Sequence, residues 1–252
     1  MVQANFDRWE SLVGRTNVHI VEGDELASHI DELGLSDRGL TIQAKSNLLR
    51  VQLLQERGGA WFDATVLPMP GVAAWTRQRV ENAPFFAFRR GRAGTVLGSW
   101  FLVATPGLEL TEAWLQNMCA YWDRDRVPAG KSLLRPLQRR WRHRVRANPV
   151  WAVTPGAGAA SRFRPYHWMH YAFEYTVATN PTAAHQWEAG DRLSTLPPHL
   201  IKRLRESTDD SEFLELYPSL FTHSPVHKLC WRLHWPEAFI EDIRSQTFEE
   251  CA

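Results

Sequence analysis

Residues 45–68 read KSNLLRVQLLQERGGAWFDATVLP, and the rest of the chain is interpreted outward from them. From Lys45 to Arg57 there is no Gly or Pro, and apolar residues recur at Leu48, Leu49, Val51 and Leu53, the repeat of a core-facing helix. Gly58 and Gly59 end it, because glycine takes the left-handed backbone that closes a helix at little steric cost. Ala60 to Leu67 is aromatic and β-branched and is bounded by Pro68, which predicts one strand. On a strand Trp61, Asp63 and Thr65 share one face, and Phe62, Ala64 and Val66 share the other. An acid therefore stands in an apolar strand, after a helix on which Asn47, Arg50 and Arg57 can form a polar stripe. Asp63 is either the partner of one of these arginines in a structural ion pair or a carboxylate with a function.

The run S-N-L-L-R, followed by L-L-x-x-x-G-G-x-W-x-D-A-T-V, resembles the bacterial capsular polysaccharide synthesis proteins, relatives of DXD-containing sugar transferases. Trp100 and Phe101 in GSWFLVA, the aromatic segment from Tyr166 to Tyr175, and SPVHKLCW from Ser224 to Trp231 extend the resemblance. It implies an α/β, GT-A-like (Rossmann-like) sheet with flanking helices and a helical C-terminal part. It also implies a nucleotide-sugar donor, a divalent metal (Mn2+ or Mg2+) and an aspartate motif near both. Carried over residue by residue, Asp63, Asn47 and Arg50 are the catalytic candidates. Arg50, Asp63, Thr65 and Lys228 are the candidates for the donor diphosphate, and Asp63, Thr65 and His227 for the metal. Two positions depart from the pattern: the second acid of D-x-D is Thr65, and the Asp common before L-x-R is Asn47. The resemblance further implies an apolar strand before the first helix; the chain has none, so the expected sheet lacks its first strand beside Asn17 to Val21.

At 252 residues the chain suits one domain, since domains run to about 100 to 200 residues. Residues 1–252 are thus expected to form a single glycosyltransferase-like domain, with 126–165 as a basic loop and helix insertion. Apolar residues make up 44% and charged residues 23%, the balance of a soluble globular protein. Three widely spaced cysteines, Cys119, Cys230 and Cys251, form no C-x-x-C, which argues against zinc and a disulfide framework and suits a reducing cytoplasm. Neither a run of about 18 apolar residues nor a leader is visible. Twelve tryptophans suit both core packing and sugar stacking.

Helices are predicted at Val2 to Leu12, Glu25 to Leu33 and Leu108 to Trp122, with strands at Asn17 to Val21, Phe85 to Phe88 and Ser99 to Ala104. Pro68 to Trp75 reads as loop, and RRGRAG at Arg89 to Gly94 as a basic turn, either solvated or an anion site. Residues 126–173 hold ten Lys or Arg and no Asp or Glu, against twelve basic and fifteen acidic in 1–125 and seven and thirteen in 174–252. Six arginines fall within Arg135 to Arg146, with Leu137, Trp141 and Val145 at four-residue steps. A helix there with one apolar line fits an anionic membrane surface, a lipid-linked diphosphate acceptor, or plain solvation. Nucleic acid is not expected, because the net charge is +1 and no binding motif accompanies the patch. The small-residue run Thr154 to Ala160 is not a dinucleotide fingerprint.

His167, His170 and Glu174 fall at helical steps within Tyr166 to Ala178, so they either form a metal site or make cleft hydrogen bonds. After Pro197 and Pro198, helices at His199 to Ser207 and Ser211 to Tyr217 lead to His223, His227 and Lys228. The resemblance implies that this segment folds back over the donor. The sequence therefore points to transfer of a sugar from a nucleotide-sugar to a glycan or lipid-linked acceptor, cytoplasmic and at most peripheral to the membrane. The rival expectations are a non-catalytic sugar- or nucleotide-binding scaffold on the same fold, and a membrane adaptor acting through Arg135 to Arg146.

Overall fold

A central antiparallel sheet of three strands lies between two apolar layers. The computed structural model describes residues 1–124, 126–128, 135–156 and 161–245. Along the chain run α1 (Val2–Val13), α2 (Gly23–Glu32), α3 (Ile42–Arg57), β1 (Gly59–Phe62), β2 (Val66–Pro68), α4 (Val72–Asn82), β3 (Phe85–Arg89) and β4 (Leu97–Ala104). Then come α5 (Glu109–Tyr121), β5 (Val127–Pro128), α6 (Arg135–Ala147), β6 (Phe163–Arg164), α7 (Trp168–Thr179) and α8 (Pro181–Ala189). The C-terminal part holds α9 (Leu200–Ser207), α10 (Asp210–Leu216), β7 (Val226–Lys228) and α11 (Glu237–Ser245).

The sheet runs β1-β4-β3, with Trp61 opposite Leu102 and Phe85 opposite Ala104. Alternation sends Phe85, Ala87, Leu102 and Ala104 to one face, against Leu48 and Val51 of α3, Trp114 and Met118 of α5 and Phe173 of α7. Phe86, Phe88, Phe101 and Val103 go to the other face, against Trp9, Val66, Val72 and Val226. With both faces covered, β4 reads as an apolar run from Trp100 to Ala104. A further cluster joins α1, β2, α9, α10 and α11 through Ala4, Leu67, Ile201, Phe213 and Phe239, so the C-terminal helices pack onto the N-terminal one.

The α/β expectation holds, but the described residues form three small sheets, two of them antiparallel, in place of one continuous Rossmann-like sheet. The single strand predicted from Ala60 to Leu67 is two. Asp63 N makes the last bond to β4, at Trp100 O, and Val66 N closes a turn onto Asp63 O, after which β2 pairs with β7. Asn17 to Val21 is not a strand: Asn17 ends a 3-10 turn, and 18–22 find no partner strand among the described residues. β-branched composition favours extended backbone there, but a strand needs a neighbour to accept its bonds. No bare strand edge follows from it, so the expectation of a missing first strand beside it falls. α3 begins at Ile42, capped by the Thr41 hydroxyl, and α4 occupies part of the stretch expected as loop. α7 starts one residue after His167. Of Thr154 to Ala160, residues 157–160 lie outside the described residues.

Candidate functional site

The floor of the site is made where α3 turns into β1. Gly58 has φ 67°, and a Cβ there would lie 2.6 Å from Pro106 Cδ and 3.0 Å from Ala104 O, so backbone and packing both require glycine. The reversal lays β1 back beside α3 and brings Trp61 and Asp63 to Arg50. Burial pulls the Arg50 guanidinium below its ordinary pKa, and the charge of Asp63 opposes that shift. Its position is fixed by four contacts. Nη1 donates to Ser99 O at 2.6 Å, Nε to Ser46 O at 3.2 Å and Nη2 to Ser46 Oγ at 3.3 Å, while the group lies 5.1 Å from the centre of the Trp61 ring.

Asp63 sits in the turn between β1 and β2 with its side chain 31% exposed. Arg50 Nη1 is 3.4 Å from Oδ1, Trp61 Nε1 donates to Oδ1 at 3.3 Å, and Lys228 Nζ donates to Oδ2 at 3.1 Å. Lys228 also donates to Thr65 Oγ1. The register of β2 on β7 places it there, since Val66 lies opposite Lys228. Burial alone would raise the Asp63 carboxyl, but Arg50, then Lys228 and the hydrogen bonds from Lys228 and Trp61, outweigh it and hold the group below the usual carboxylate range. Burial lowers Lys228, against the opposing pull of Asp63.

Above this cluster opens a cavity of about 690 Å³. Among the described residues four cations line it, Arg50, Arg164, Lys228 and Arg232, against one acid, Asp63. Tyr166 and Trp231, 83% and 66% exposed, stand in its wall, and Asn47 lines it from α3. His167 and His170 line it too, their rings 5.5 Å apart, with His170 Nε2 3.5 Å from Ser99 Oγ. Burial, with His167 and Arg90 adding, pushes His170 down to about 3, so it stays a neutral imidazole. Glu174 accepts from Val96 N at 3.4 Å, so Glu174 makes a loop hydrogen bond and His170 a cleft one, while His167 lines the cavity. An excess of fixed cations in a concave, aromatic-walled site suits a ligand carrying two or more negative charges.

The metal expected at Asp63, Thr65 and His227 does not fit these residues. His227 is not brought to Asp63: it neighbours Lys228 on β7 but points to the other face, fully buried, where Nε2 donates to Phe221 O at 3.2 Å. Thr65 accepts from Lys228, and both oxygens of Asp63 already face cations. Among the described residues no three His, Cys, Asp or Glu converge on a point where an ion could be held. Magnesium-type sites use one or two free carboxylates and substrate phosphates. Here an incoming dication would meet Arg50 and Lys228, and two like unit charges about 4 Å apart repel by about 4 kcal/mol at an effective dielectric near 20.

Of the residues expected from the motif, the structure brings Asp63, Thr65, Arg50, Asn47 and Lys228 to one cavity; Arg164, Arg232, Ser46 and the Ser99 carbonyl were not among those expected. Arg164 was hidden in the basic segment, and Arg232 directly follows the Trp231 that ends SPVHKLCW. No curated protein and no solved structure matches the chain. The family described as capsular polysaccharide synthesis protein matches residues 1–129, which hold the GGxWxDAT segment, Arg50 and Trp100 but neither the Tyr166 to Tyr175 segment nor Lys228. With half of the chain matched and the floor of the cavity built from that half, the chain belongs to the capsular polysaccharide synthesis protein family.

Proposed function

We propose that the protein transfers a glycosyl group from a nucleotide-sugar to a glycan or lipid-linked acceptor, on a GT-A-related arrangement of its N-terminal half. Family membership ties it to capsular polysaccharide synthesis. The observation that carries the finer reading is the cavity in which Asp63 is held between Arg50 and Lys228 beneath a surplus of cations. In the transfer, the bond from the anomeric carbon to the diphosphate oxygen breaks and its electron pair leaves on the diphosphate. The acceptor hydroxyl oxygen bonds to that carbon, and its proton passes to the released diphosphate or to solvent. Arg50 and Lys228, already oriented, stabilise the leaving charge without reorganisation. Trp231 and Tyr166 offer faces for a base or sugar ring.

Release of nucleoside diphosphate across a panel of nucleotide-sugars tests this reading, with Asp63→Ala as the variant. Turnover is expected to fall by about 10² to 10³. Stability should fall too, by about 2 kcal/mol, less than for a wholly buried pair because the carboxylate is 31% exposed. Unchanged turnover per folded molecule would remove Asp63 from the chemistry. A second reading, a scaffold that binds the nucleotide-sugar without turnover, is favoured by the complete pairing of Asp63; donor binding with no product would establish it.

The arginine face of α6 is proposed to rest on an anionic membrane surface. Its observation is that Trp141 and Val145 pack inward on Ala152 while Arg139, Arg140, Arg142, Arg144 and Arg146 stand exposed.

A further inference from the structure

The geometry points to a diphosphate site that works by fixed cations: Arg50 and Lys228 at the Asp63 carboxylate, with Arg164 and Arg232 along the same wall, neutralise the ligand without a divalent metal. The inference rests on reading the cavity as a nucleotide-sugar site, and it departs from the aspartate-held metal that the motif resemblance implies.

Three features of the donor set carry it. Asp63 is the one acid lining the cavity among the described residues, and its two oxygens are taken by Arg50 at 3.4 Å and Lys228 at 3.1 Å. The position where a second acid would stand is Thr65, whose hydroxyl receives the same Lys228. A carboxylate so occupied acts as the anchor that keeps two cations in place, since each would otherwise be drawn toward water. Arg50 is further clamped by Ser99 O and Ser46 and lies over Trp61, so its charge is set before any ligand arrives.

Charge count agrees. Four lining cations less one carboxylate leave a surplus of three, matched to the two or three negative charges of a nucleoside diphosphate. Arg164 lies 5.6 Å from the Trp122 ring centre and Arg232 4.7 Å from that of Trp231, so aromatic rings support both guanidinium groups. Arginine binds phosphate oxygens in a planar fork, while the Lys228 ammonium acts as a point charge that can turn from Thr65 to a phosphate oxygen.

Calorimetric titration of the full chain with inorganic pyrophosphate, and separately with UDP and GDP, in excess EDTA and then in excess manganese, tests the inference. Pyrophosphate and at least one nucleotide are expected to bind in EDTA with affinity within about threefold of that in manganese, a difference under about 0.7 kcal/mol. Lys228→Ala should lose at least about tenfold in EDTA. Because Lys228 also holds Thr65 and Asp63, the exposed Arg232→Ala serves as the second variant and should lose about threefold to tenfold with its fold intact by circular dichroism. Binding that appears only with manganese would overturn the fixed-cation site and leave the nucleotide-sugar reading standing. Wild-type affinity in both variants would also overturn it. No heat with any ligand under either condition would overturn the site and the reading together.

Discussion

Asp63, part-exposed, and His227, fully buried, are each held against specific partners, but they face opposite ways and have opposite uses. Asp63 opens onto the cavity, where its charge orders two cations. His227 lies beneath β7 as a neutral donor to Phe221 O, and burial lowers it to about 4 against the pull of that carbonyl. His199 is likewise pushed to about 4 and His170 to about 3. An unfolded imidazole protonates near 6.5, so between that value and about 4 the unfolded chain binds more protons. Stability from these groups is therefore complete above pH 6.5 and is lost as pH falls toward 4. Each group contributes at most about 1.4 kcal/mol per pH unit to that slope. Urea unfolding over this range should show the decline, and His227→Gln, which keeps a donor but cannot titrate, should shallow it by about one proton. An unaltered slope in that variant would rule out His227 as a source.

At the scale of elements, α1 explains how a short strand of three residues can hold the site. Among the described residues β2 pairs with β7 along one edge. Along the other edge α1 takes the place of a strand: Asn5 Nδ2 donates to Ala64 O at 3.0 Å, Trp9 Nε1 to Val66 O at 3.0 Å, and Arg8 Nε to Pro68 O at 2.8 Å. The helical steps 5, 8 and 9 meet carbonyls at every second residue, so donors from a helix satisfy a strand edge. Trp9 also stacks on Phe62 at 3.8 Å. Trp9→Phe keeps a stacking ring and deletes the donor, leaving Val66 O buried without it. A loss of about 1 to 3 kcal/mol in denaturant unfolding is expected. A change below about 0.5 kcal/mol would mean that the edge is satisfied some other way.

Across the whole molecule the charge is unevenly spread, with ten Lys or Arg and no acid in 126–173 and an acidic excess on both sides. The tertiary structure turns the apolar line of α6 inward at Trp141 and Val145, leaving Leu137 as the exposed apolar residue, at 57%. The contact proposed for this face would then be electrostatic, since the one Trp of α6 is turned inward. No helix among the described residues is long and apolar enough to cross a membrane. Co-sedimentation with vesicles of anionic phospholipid should show binding that salt abolishes, since each arginine near such a surface is worth about 1 kcal/mol and screening acts within about 10 Å. Arg139→Glu with Arg140→Glu should release the protein; equal binding by variant and wild type, or binding that persists in high salt, would refute this surface.

The sequence by itself determined the helix of α3, the glycine stop and the extended aromatic segment after it, though not the turn at Asp63 that splits this segment into β1 and β2, because periodicity, a left-handed turn and β-branched composition are local properties. It also located β3, β4, α5 and the helical character of α6, and the motif in 45–68 named the family. Tertiary structure decided what each of these does. Whether extended residues become a strand depends on a neighbour, which 18–22 lack among the described residues and 66–68 find 160 residues away in β7. Which of two adjacent residues on β7 reaches Asp63 is settled by the strand's alternation and register, which bring Lys228 in and turn His227 away. The apolar line of α6 could face lipid or protein with the same spacing, and Phe163 and Tyr171 from other parts of the chain claim it. Long-range packing fixes such choices, because the free energy that selects a face comes from partners the local sequence does not contain.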